Sequence, residues 1–112
     1  MIEKIIFDYL KSELDIPVYT EFPKEPPLSY VLIEKTGGGL DDHVHLATIA
    51  VQSYAKSLFN TAELNEKVKN TMLNIIDIDK ICTCELNSDY NFPDTKRNIY
   101  RYQAVFNITY LE

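Results

Sequence analysis

The sequence predicts an α+β fold: an antiparallel sheet of four to five strands with two helices packed on one face, in the order α-β-β-β-α-β-β, as a single domain over residues 1–112. Three observations carry this. Apolar residues recur at helical spacing in two separate stretches, at Ile2, Ile5, Ile6, Tyr9 and Leu10 and again at Leu64, Val68, Met72 and Ile75. A period of two runs through Tyr100, Tyr102, Ala104, Phe106, Ile108 and Tyr110, with Arg101, Gln103, Asn107 and Thr109 between them. Between the helical stretches, a glycine-rich reversal over residues 37–43 feeds the longest strand candidate, residues 44–54, rich in β-branched and aromatic side chains.

Taken in order, the first helix ends near Leu14, because Pro17 forbids continuation. Residues 18–20 form a short strand. The segment FPKEPPLS then places prolines at 23, 26 and 27, which hold the chain extended and remove backbone donors, so it reads as an edge or linker. Residues 28–36 lack clean alternation and read as a strand covered on both faces. The reversal joins it to residues 44–54 as a long antiparallel hairpin. Ser57 or Asn60 caps the second helix; Asn60 has Glu63 three residues on and Phe59 placed to pack on Leu64. A short strand over 81–86 and a polar loop over 87–98 lead to the last strand.

Residues 44–54 put Val44, Leu46, Ala50 and Tyr54 on one side and Ala47, Ile49 and Val51 on the other, so neither face is plainly polar. Two helices shield only one face, which predicts that another subunit covers the remainder. The interface candidates are Gly38, Asp41, Asp42 and His43 at the reversal, Ile49 and Val51 on the strand, and Tyr100 and Tyr102 in the last strand, tyrosine being enriched at interfaces.

Composition narrows the function classes. With 46% hydrophobic and 25% charged residues the chain is an ordinary globular sequence, and its apolar runs fall short of the about 18 residues a membrane span needs. A net charge of −6 argues against sequence-specific nucleic-acid binding, which draws its affinity from Lys and Arg on phosphates. Cys82 and Cys84 with His43 and His45 offer four zinc-ligand side chains in two pairs, yet the members of each pair are spaced one residue apart on strands instead of in a knuckle, so no metal site is expected. Asp41, Asp42, His43 and His45 offer acid-base groups, but nothing in the sequence partners them. The glycine triplet 37–39 is not followed by a helix and so lacks the amides that cradle phosphate.

The layout resembles the small tail-terminator and tail-completion, or head-tail joining, proteins of long-tailed bacteriophages and prophages. The resemblance spans nearly all of the chain. It rests on the amphipathic N-terminal helix, the proline-bounded PVYTEFPKEPPLSYVLIEK, the hairpin GGGLDDHVHLATIAVQSYAKS, the helix TAELNEKVKNTMLNI and the last strand IYRYQAVFNITY. It implies a structural protein with no catalytic residues and no cofactor. Such a protein would assemble with its own copies as a ring, commonly a hexamer, and be monomeric when dilute. The ring would sit between the tail tube protein and a head-completion or connector protein, in the host cytoplasm during assembly and then in the virion tail. Two other classes fit the same residues: a non-catalytic binding or regulatory module engaging a protein partner, and a small hydrolase or metalloenzyme using His43, His45 and the nearby acids.

Overall fold

The computed structural model describes residues 1–111. Helix α1 (Ile2–Glu13) and helix α2 (Leu58–Leu73) lie on one face of a five-stranded sheet built from β1 (Val18–Tyr19), β2 (Tyr30–Asp41), β3 (Val44–Ala55), β4 (Ile81–Asn91) and β5 (Tyr100–Tyr110), in the spatial order β1-β2-β3-β5-β4. The α+β class and the element order are those the sequence predicts. One pairing differs. β1 runs parallel to β2, with Val18 opposite Val31, so the sheet is mixed. A parallel pair needs a crossover from one end of the sheet to the other. The proline-bounded segment after β1 supplies it, passing over the face away from the helices, where Phe22 packs edge-on to Tyr30 and Tyr54.

α1 buries Ile2, Ile6 and Leu10, a stripe spaced by four, and its last turn stops where Leu14 turns extended. α2 is capped by Ser57, whose hydroxyl accepts from the Asn60 backbone N–H at 3.1 Å; Asn60 therefore lies inside the helix, and Phe59 stands in solvent instead of packing on Leu64. Leu64, Val68, Met72 and Ile75 are buried as their spacing predicts. They close on Ala104, Phe106, Ile108 and Tyr110 from β5 and on Val31 and Ile33 from β2.

Ile49 and Val51 belong to this core, both 0% exposed beneath the helices, which corrects their reading as interface residues. The physical reason is register: the odd-numbered positions of β3 face the helices, and alternation puts Leu46, Thr48, Ala50, Gln52 and Tyr54 on the other side.

The hairpin turns later than predicted. β2 continues past a bulge at Thr36 and through Gly37, Gly38 and Gly39, and the reversal is a two-residue turn at Asp42 and His43, whose φ values of 49° and 71° are the left-handed pair that a tight hairpin of matching twist requires. β4 is also longer than the predicted 81–86, reaching Asn91 with bulges at Cys82 and Asn87. The segment 87–91 is thus strand, not loop.

Candidate functional site

The chemistry gathers on the sheet's second face, at the end nearest Tyr54. The register aligns Tyr30, Tyr54 and Arg101 in one row across the sheet and Gln52, Gln103 and Tyr90 in the next. The Tyr30 and Tyr54 rings stack with centroids 4.5 Å apart and planes 7° from parallel. Above them, the Arg97 guanidinium lies 3.8 Å from the Phe22 ring centroid and the Arg101 guanidinium 4.2 Å from that of Phe92.

Asp94 organises the two arginines. Its carboxylate, only 5% exposed, accepts from Arg97 Nη1 at 2.8 Å and from the Arg97 backbone N–H at 3.1 Å, with Arg101 Nη1 3.9 Å away. Burial pushes the Asp94 carboxyl up, but the two hydrogen bonds from Arg97 and the charges of Arg101 and Arg97 outweigh it and hold the group below its ordinary value. Arg101 donates to the Phe92 carbonyl at 2.6 Å and reaches the Tyr54 hydroxyl at 3.4 Å. From there the bonds run on: Tyr54 Oη donates to Gln52 Oε1, Gln52 Nε2 to Gln103 Oε1 at 2.8 Å, and Gln103 Nε2 to Tyr90 Oη. The Tyr30 hydroxyl is buried with no hydrogen-bond partner among the described residues, and burial, with Tyr54 alongside, pushes its pKa up to about 12. A connected, largely satisfied network of this kind fixes one arrangement of the face and clamps the loop between β4 and β5 onto the sheet.

The other half of this face is open. Leu46, Thr48, Asn107, Thr109, Thr83 and Glu85 form a shallow trough left uncovered among the described residues. The expectation of an uncovered apolar face is therefore narrowed. The aromatic part of the second face, Tyr54 with Tyr30, is covered by the chain's own Phe22 and by Arg101, and the open half is mixed in polarity.

Both sides of the sheet leave long strand edges open, because the outermost strand on one side, β1, is only two residues long. β1 covers only Val31 and Leu32 of β2, so residues 33–41 present an outer edge with no strand partner, and β4 is unpaired along its whole outer side, among the described residues. Beside the β2 edge, a groove of about 770 Å³ runs between β2 and α1, with Phe7, Phe22 and Leu32 among its walls.

The structure splits the remaining interface candidates between opposite ends of the sheet. Asp41, Asp42 and His43 sit at the β2–β3 turn and Gly38 a few residues before it, whereas Tyr100 pairs with Ala55 and Tyr102 with Ser53 at the far end. They do not form one patch. Tyr100 is 46% exposed and helps line a cavity of about 290 Å³ with Pro26, Pro27, Tyr30 and Tyr54.

Nor do the cysteines and histidines converge. His45 stacks on Tyr110, which stands between it and Ile81 on β4, while the Cys82 bulge turns that thiol to solvent and Cys84 packs against the core. Among the described residues no group of three or more His, Cys, Asp or Glu is placed to hold a metal. Burial, then the neighbouring Glu85 charge, pushes the Cys84 thiol up to about 11, the opposite of an activated nucleophile.

Sequence reasoning missed the Asp94 network. A trace was available, since Asp94 and Arg97 lie three apart after Pro93, the spacing of a turn closed by its own side chains. Nothing local linked Arg97 to Phe22. No protein-family model matches the chain, and no curated protein matches it either.

Proposed function

We propose that the chain is a structural assembly protein of a bacteriophage or prophage tail. In this reading its copies form a ring at the head-proximal end of the tail tube, end tube growth and offer the surface for head attachment. The observation that carries the reading is the pair of unpaired strand edges, β2 on one side of the sheet and β4 on the other. Long free edges invite pairing with another chain. Two different edges on one subunit allow a head-to-tail contact, in which each subunit offers one edge and receives the other, and such contacts close into rings when the rotation permits. The network around Asp94 supports it by holding the sheet and its crossing loop rigid, as a repeated building block needs.

The partners in this reading are further copies of the chain, the tail tube protein and a head-completion or connector protein. Assembly takes place in the host cytoplasm and the ring ends in the virion tail. The test is genetic: deleting the gene in an inducible prophage should yield headless tails of uncontrolled length under the electron microscope. Tails of normal length that join heads normally would overturn the proposal.

A further inference from the structure

The glycine triplet of β2 has no explanation within one copy of the chain. None of the three has a positive φ, so the backbone does not require glycine there, and the bulge at Thr36 is not of the kind that needs a left-handed glycine. Space does not require it either. A Cβ on Gly37 would meet only Thr48 at 3.7 Å, one on Gly39 would meet Leu46 at 3.7 Å, and one on Gly38 would press on the flexible end of the Lys35 side chain at 3.0 Å. Glycine in a strand weakens it, by roughly 0.5–1 kcal/mol relative to alanine. Three in succession therefore cost the isolated subunit stability and return nothing to it. Within strands, glycine marks bulges, tight bends or places where another backbone approaches closely; the bulge at Thr36 adjoins Gly37 alone, which leaves close approach for Gly38 and Gly39.

We infer that the glycine stretch, at the free edge of β2, is the seat on which a second copy of this chain adds the free edge of its β4. This rests on the ring reading and names its contact. Three observations choose the occupant. First, β2, β3, β5 and β4 alternate in direction, so β4 runs antiparallel to β2, and a second copy continuing the same sheet presents its β4 antiparallel to the receiving edge. Second, the lengths match, since the open edge spans residues 33–41 and β4 spans Ile81–Asn91. Third, β4 is bent by bulges at Cys82 and Asn87, and a bulged strand bends and twists more tightly. A straight run of β-branched residues would not follow that curvature, whereas a stretch without Cβ atoms can. In a two-residue hairpin Asp41 and Val44 exchange both hydrogen bonds, so the alternation leaves the Gly38 and Leu40 backbone groups pointing outward to the incoming strand.

Hydrogen exchange and native mass spectrometry of the full chain, from dilute to concentrated, test this with three proteins. In the wild type, association should slow exchange at residues 33–41 and along β4 together. Gly38→Pro removes an outward N–H while leaving the bonds to β3 in place, and should weaken self-association at least ~10-fold. The double variant Gly37→Val and Gly39→Val should unfold at a higher urea concentration than the wild type and yet associate less. Wild-type protein that associates without new protection at residues 33–41 overturns the inference while leaving a ring built through another surface standing. Valine variants that lose monomer stability, or that associate as well as the wild type, overturn it too. A wild type that stays monomeric at every concentration also overturns it, and tail length in the deletion strain then judges the ring reading separately.

Discussion

Replacing Asp94 by alanine should cost about 2–4 kcal/mol of folding stability, an amount worked from its contacts. The substitution removes two hydrogen bonds that the carboxylate accepts from Arg97, at 2.8 and 3.1 Å, and takes the counter-ion 3.9 Å away from Arg101. Hydrogen bonds to a charged group contribute roughly 1.5–3 kcal/mol each when shielded from water. The Arg97 side chain is half exposed, which screens its share and puts that bond at or below the low end. Arg101 keeps the Phe92 carbonyl and its place over the Phe92 ring, so it is not left bare. Against a total stability of about 5–15 kcal/mol the loss is large and should lower the urea midpoint by roughly 1–2 M.

Acid titration adds an independent check. The folded-state pKa of Asp94 lies below the ordinary 3.8, so its contribution is present above that value and is lost as pH falls through the lower folded pKa. The stability gap between wild type and Asp94→Asn should therefore be widest near neutrality and shrink once pH drops below 3.8. A gap under about 0.5 kcal/mol at pH 7, or one that does not change on acidification, would refute the reasoning that a buried carboxylate organises the two arginines.

Three further outcomes follow from the core and the turn. Ile49→Glu should prevent folding, because it places an unpaired charge where no solvent reaches, a cost of about 3–5 kcal/mol beyond the lost packing; a cooperatively folded variant by circular dichroism would mean that this side of β3 is a surface. Phe106→Ala should lose about 3–5 kcal/mol in urea unfolding, since the ring is fully buried between the sheet and the helices, and a loss below about 1 kcal/mol would contradict that packing. His43→Val should cost ~1–2 kcal/mol because a β-branched side chain tolerates φ near 71° poorly, whereas His43→Gly should cost nothing measurable; equal stabilities for the two variants would place the turn elsewhere.

What was legible in the sequence is what neighbouring residues decide among themselves. The spacing of Ile2, Ile6 and Leu10 and of Leu64, Val68 and Met72 writes two helices. The alternation from Tyr100 to Tyr110 writes the last strand and its buried side, and Ala104, Phe106, Ile108 and Tyr110 all lie in the core. The α+β class and the order of elements follow from these, because two amphipathic helices and four longer strand patterns have few ways to bury their apolar sides together.

The remaining features depend on groups far apart in the chain. The direction β3 faces was undetermined locally, since Ile49 and Ala50 are both apolar. It was set when Phe22 of the crossover closed over Tyr30 and Tyr54, leaving Ile49 and Val51 to the helices. The hairpin turn fell at Asp42 and His43 because the ladder between β2 and β3 resumes after the bulge at Thr36 and pairs all three glycines, and continued cross-strand pairing outweighed the turn preference of glycine itself. Asp94, Arg97, Arg101 and Phe22 became one site only when residues more than seventy positions apart met over the stacked tyrosines, a contact that no local period or spacing encodes.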